Sequence, residues 1–187
     1  MEWVYDDGGR SKYFKGDAGD CVVRAIAIAT EQDYKKVYDD LAEMHKARYG
    51  TKSARNGTNR DDIKKYMANL GWTWHPTMKI GSGCTTHMRK SELPSGRVMC
   101  SLSRHIATVV DGVLHDTYDS TRDGTRCVYG YWTEPPKCFE AKPRGHGNDN
   151  RLMREVSDVQ DDFINGLITP HEFGQLCEEA AVRWRGW

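Results

Sequence analysis

The stretch "GDAGDCVVRAIAIAT", residues 16–30, sets one cysteine, Cys21, at the head of an apolar run and behind a loop of Gly and Asp. An inert core thiol is one use for such a residue, since free cysteine is among the most buried residue types. A nucleophile is the other. At the first turn of a helix, unpaired N–H groups and the macrodipole favour negative charge, which makes thiolate more available. A thiolate becomes a catalyst when a base lies within hydrogen-bond reach and a third group orients that base.

The segment "SRHIATVVDGVLHDTYD", residues 103–119, offers such a pair. Asp111–Gly112 between two apolar runs predicts a two-residue hairpin loop. Val110 then faces Val113, Ala107 faces Asp116 and His105 faces Tyr118. His105 and Asp116 share parity, and as diagonal neighbours their Cα atoms stand about 7–8 Å apart, within side-chain reach. Asp119 has the opposite parity and points away; the same geometry selects His105 over His115. Asp116 is expected to accept from one imidazole nitrogen and leave the other facing the thiol. Asp17 and Asp20 bring negative charge near Cys21, which opposes thiolate formation.

These residues need elements to carry them. Val22 to Ala29 are apolar apart from Arg24, so a helix over about 21–30 runs through a core, with Asp20 as its N-cap. Tyr34, Val37, Tyr38, Leu41 and His45 mark one face of a second helix that stops at Gly50. Ile63, Met67 and Leu70 share a face of a third, with Gly71 beyond its end. Residues 1–19 read as loop. "WTWHPTMKI" is strand-like, and "RVMCSLS", "HIATVV", "VLHDTYD" and "RCVYGYW" are strand candidates rich in β-branched and aromatic residues. Residues 134–150 read as a linker. Beyond it, Leu152, Val156, Val159 and Phe163 suggest one helix, and Thr169, Pro170 and Glu172 start another with a capping box. The expected fold class is α+β: helices, then an antiparallel sheet, then a helical hairpin over 151–187.

A Cys heading a buried helix and a His/Asp pair on a hairpin resemble the papain-like cysteine peptidase superfamily. The likeness is closer to small bacterial and phage-encoded members, through "DCVVRAIA", "LPSGR", the "SRH…DG…HDT" hairpin and "RCVYGYW". It covers roughly residues 10–133. It implies a papain-like domain over 1–133 that cleaves a peptide, isopeptide or other amide bond. Cys21 would attack the carbonyl, His105 would move the proton and Asp116 would orient the ring. Papain-like enzymes often carry a Gln about six residues before the Cys to help hold the oxyanion. Lys15 stands there in this chain, and Lys15 or a loop N–H takes that place beside the Cys21 N–H. The tail is similar to short SHOCT-like helical modules, which implies self-association or a protein partner through residues 151–187. The implied substrate is a protein or peptide, and no cofactor is implied. The alternative is a non-catalytic phage structural or interaction protein that keeps the peptidase fold.

Composition narrows the classes further. The chain has 187 residues with formal net charge zero, which argues against a broad nucleic-acid surface; "RNGTNR" and "HMRK" read as solvated loops. No apolar run reaches the roughly 18 residues of a membrane span, and the N-terminus carries no secretory pattern. Six cysteines without close pairs (Cys21, Cys84, Cys100, Cys127, Cys138, Cys177) therefore read as free thiols of a cytoplasmic protein, in a host cytosol or a virion. A zinc site from Cys84 and His87 with Cys100 or His105 is the competing use, and no metal is expected. Trp72, Trp74 and Trp132 read as core, Tyr118 as a wall of the site, and Arg24 as reaching a carboxylate or the surface.

Overall fold

The first helix, α1 (Cys21–Thr30), is apolar nearly all round because it lies in the interior: Val22, Val23 and Ala25 to Ala29 are all buried. This computed structural model describes residues 1–78, 81 and 83–135, together with Asp162, Thr169, Glu172, Gln175, Leu176 and Glu179. Helix α2 (Tyr34–Tyr49) starts at Asp33, whose carboxylate accepts from the Lys35 and Lys36 N–H groups, and ends at Gly50 with φ 77°. It buries Tyr34, Val37, Leu41 and Ala42. Helix α3 (Arg60–Asn69) buries Ile63, Tyr66 and Met67.

The strands are β1 (Glu2–Tyr5), β2 (Thr73–Pro76), β3 (Arg97–Leu102), β4 (His105–Val110), β5 (Val113–Asp116) and β6 (Gly130–Thr133). They form one sheet in the order β1-β5-β4-β3-β6-β2. Asp111 and Gly112 both have positive φ, 49° and 82°, as a type I′ turn requires. Val110 faces Val113 as the turn predicts, and the ladder runs on to Thr108 facing His115. Helix α1 lies along β4, tied to it where Thr108 Oγ1 donates to the Ala25 carbonyl at 2.7 Å. On the opposite parity of β4, Ala107 and Val109 pack in one cluster with Val98, Cys100, Leu102 and Leu114. Trp72 and Trp132 are buried as expected, and Trp74 lies with its ring 4.2 Å from Trp132.

Four expectations need correction. Residues 1–19 are not all loop: β1 pairs with β5, and a short 3-10 turn covers Arg10–Lys12. The sheet is mixed rather than antiparallel, because β1 runs parallel to β5. Asp20 holds the N-cap position, yet its side chain makes no capping bond. Cys84 and Cys127 are joined by a disulfide with Cα atoms 5.8 Å apart, so these two are not free thiols, and Cys84 is not available to zinc. Cys21 and Cys100 are free.

No helix among the described residues is long and apolar enough to cross a membrane. Of the tail, the Thr169 hydroxyl and the Glu172 carboxylate exchange the bonds of the expected capping box. Apart from these two residues and Asp162, Gln175, Leu176 and Glu179, the segment expected to form a helical hairpin lies outside the described residues, as do the linker from 136 onward, Cys138 and Cys177.

Candidate active site

Three elements deliver the three predicted side chains to one place. Cys21 is the first residue of α1. His105 is the first residue of β4, set there by a tight β3–β4 turn in which Leu102 faces His105 and Arg104 takes φ 55°. Asp116 ends β5. Its backbone carbonyl accepts from Asp6 N–H at 2.9 Å and Trp3 Nε1 at 3.2 Å, so the N-terminal strand clamps the residue from the sheet edge.

His105 Nε2 and Asp116 Oδ2 are 2.6 Å apart, with both side chains almost wholly buried. Asp116 Oδ2 also accepts from Ser120 Oγ at 2.9 Å, and Oδ1 accepts from Thr117 N–H at 2.7 Å. Three donors therefore fix the carboxylate, and a fixed carboxylate fixes the ring. With Nε2 engaged, Nδ1 is left for the thiol. Cys21 is partly exposed, and its thiol lies close enough to His105 and to the Ile106 N–H for both to act on its ionisation.

The electrostatics favour a charged pair. Burial opposes the Cys21 thiolate, but the His105 and Ile106 hydrogen bonds and the charges of His105 and Arg24 outweigh it and hold the thiol below its ordinary value. Burial likewise opposes the imidazolium. The hydrogen bonds to Asp116 and Cys21, and their charges, outweigh it and push His105 up to about 9. Cys100 is the internal contrast: burial with nothing to offset it pushes that thiol up to about 12.

Around the triad, Tyr118 lies with its ring 5.2 Å from that of His105 and half its surface in solvent, as a wall of the site would. Asp20 does not act on the thiol as a bare charge. It is buried between Arg10 at 2.8 Å and Arg24 at 3.1 Å, and the Tyr34 hydroxyl donates to it. Lys15 is exposed, and no hydrogen bond or ion pair among the described residues joins it to Cys21, His105 or Asp116. His115 turns away to Asp6, 3.0 Å distant, and Asp119 caps Thr121. Sequence reasoning missed Thr117 and Ser120. Thr117 could have been suspected as the neighbour of Asp116, whereas nothing in the sequence marks Ser120.

No group of three or more His, Cys, Asp or Glu residues suited to a metal ion occurs among the described residues. The arrangement has two parts that nucleophilic acyl transfer needs: a thiol whose ionisation its neighbours favour and an oriented base that can become an acid. No family model, curated protein or solved structure matches the chain.

Proposed function

We propose that the chain is a thiol hydrolase of papain-like type that cleaves a peptide, isopeptide or other amide bond of a protein or peptide substrate. The observation that carries this is the convergence of Cys21, His105 and Asp116 from α1, β4 and β5, with His105 bonded to Asp116 and close enough to Cys21 to lower its thiol. Cys21 Sγ attacks the carbonyl carbon while His105 holds the thiol proton. The tetrahedral oxyanion forms beside the Cys21 N–H at the helix N-terminus. His105 then gives its proton to the leaving amine as the C–N bond breaks, leaving a thioester. Water, deprotonated by His105, attacks the thioester; the C–S bond breaks, the acid product leaves, and His105 returns the proton to the Cys21 thiolate. Asp116 stays ionised throughout and stabilises the imidazolium.

The vacant capping role of Asp20 supports this proposal. Its carboxylate is drawn to Arg10, Arg24 and Tyr34, so it does not occupy the first-turn N–H groups of α1. Lys15 has no such support, so the Cys21 N–H is the oxyanion donor favoured here. The disulfide bears on location: such bonds persist in oxidising surroundings, so a form in a cytosol would carry Cys84 and Cys127 as thiols.

The test is acylation by an activated ester, p-nitrophenyl acetate. The protein should release a burst of nitrophenolate matched by one acetyl group on the Cys21 peptide in mass spectrometry. Cys21→Ala should abolish the burst, and His105→Ala should slow it by about 10²-fold or more. An absent burst, or acetyl spread over other residues, would favour the non-catalytic interaction protein.

A further inference from the structure

Arg24 is the only polar side chain in the run from Val22 to Ala29, and it is directed neither to bulk solvent nor into the apolar core. Its Nη1 donates to Thr117 Oγ1 at 2.8 Å, and its Nε stands 3.1 Å from Asp20 Oδ1. That second contact is one of facing charges, since neither atom is aligned for a hydrogen bond. Asp20 is anchored in turn by Arg10 Nε at 2.8 Å and by the Tyr34 hydroxyl.

We propose that Arg24 is a positioning residue of the thiol site: held by Asp20 on the helix that carries Cys21, it braces Thr117 and so holds the Asp116 end of the triad against that helix. The proposal rests on the thiol-hydrolase reading and adds to it a second connection between the nucleophile and the acid. The first connection runs Cys21, His105, Asp116. The second runs Asp20, Arg24, Thr117 and, through the Thr117 N–H, to Asp116 Oδ1. Because Asp20 adjoins Cys21 and Thr117 adjoins Asp116 in the chain, the two connections close a ring. An arginine suits this place because its planar fork can serve two partners at once, whereas a lysine offers one flexible point charge.

The brace also answers the acidic neighbour of the thiol. Charges taken out of water are costly unless paired, and Asp20 is paired twice. Arg24 then adds positive charge beside Cys21 in the same direction as His105. His105 from β4 and Tyr118 from the loop after β5 also interact with the thiol; Asp20, next to Cys21 in the chain, is paired with Arg10 and Arg24, and Asp116 from β5 lies behind His105.

The test is the rate of Cys21 alkylation by iodoacetamide against pH, mapped to the Cys21 peptide, on the full chain. Wild type should show an apparent thiol pKa below the ordinary range, and His105→Ala should lose the reactivity at low pH. Arg24→Met should reduce the rate below neutral pH by about tenfold, as removal of a nearby opposite charge does. Arg24→Lys should restore part of that loss. Thr117→Val, which keeps the Asp20 pairing and cuts only the brace, should shift the profile the same way by less; it carries the test alone if Arg24→Met does not fold. Wild-type profiles in both Arg24→Met and Thr117→Val, with His105→Ala still impaired, would overturn the brace and leave the triad standing. A loss in Arg24→Met that Arg24→Lys fully repairs, with no change in Thr117→Val, would reduce Arg24 to a charge and also overturn it. Ordinary thiol behaviour in wild type, indifferent to His105, would overturn the triad and this proposal together.

Discussion

Cys21 and His105 pull each other's protons in opposite directions, and each alone would be penalised by burial. The thiol is held below its ordinary value and the imidazole is pushed up to about 9, so each group favours the charged form of the other. The stabilisation that His105 contributes is fully present below its ordinary pKa of about 6.5 and is lost as pH rises through about 9. Hydrolysis should therefore rise as Cys21 ionises and fall when His105 can no longer protonate the leaving group. Asp116→Asn keeps an acceptor for Nε2 but removes the charge. It should move the alkaline limb of the pH–rate profile for ester hydrolysis down by about one to two pH units, with only a modest loss at neutral pH. Asp116→Ala should lose turnover by about 10²-fold or more, because nothing then orients the ring. An unmoved alkaline limb in Asp116→Asn would assign that limb to another group. At this scale the sequence was informative where chemistry followed from parity: His105 and Asp116 could be paired on paper from the Asp111–Gly112 turn. Asp20 was misjudged because two of its partners, Arg10 and Tyr34, come from other segments, and only Arg24, four residues on, has a spacing that signals the contact.

At the scale of elements, the proposed catalysis depends on α1 lying in register along β4, since the thiol belongs to one and the imidazole to the other. Apolar packing holds the helix down but does not fix its position along its own axis. The Thr108 hydroxyl bonded to the Ala25 carbonyl does, at a fully buried position. Thr108→Val keeps the shape and removes the bond. It should cost about 1 kcal/mol of stability in urea denaturation and slow Cys21 acylation more than that loss of folded protein explains. An acylation rate equal to wild type would mean the bond holds no register that matters. Helices α1 to α3 and the β4–β5 hairpin were legible because each declares itself locally, through the 3.6-residue spacing of Tyr34, Val37, Tyr38 and Leu41 or through a turn that needs two positive φ values. Strand β1 was not. It has four residues, all exposed, and the strand that pairs with it, β5, lies at the far end of the domain sequence, so no alternation marks it. Yet β1 and the residue after it hold the Asp116 backbone, so a segment that reads as loop helps set the triad.

For the whole molecule, the cysteines divide by environment. Cys100 is sealed in the sheet, Cys84 and Cys127 close on each other across 43 residues, and Cys21 alone of these has its thiol held below its ordinary value by a neighbouring imidazole. The disulfide could not be read from the sequence because its two cysteines are far apart and match no paired spacing; the fold brings them together where His87 and Cys127 bridge. The α+β class was legible from the change of period after Gly71, but the mixed character of the sheet was not, because it depends on β1.

The most direct measurement is the pH titration of the Cys21 thiolate by its ultraviolet absorbance, taken as the difference between the protein and Cys21→Ser and repeated in His105→Ala. Half-ionisation well below the ordinary thiol value of about 8.5, moving upward when His105 is removed, is the expected result. A thiol that ionises at its ordinary value or above, whether or not His105 is present, would contradict a catalytic assembly of Cys21, His105 and Asp116.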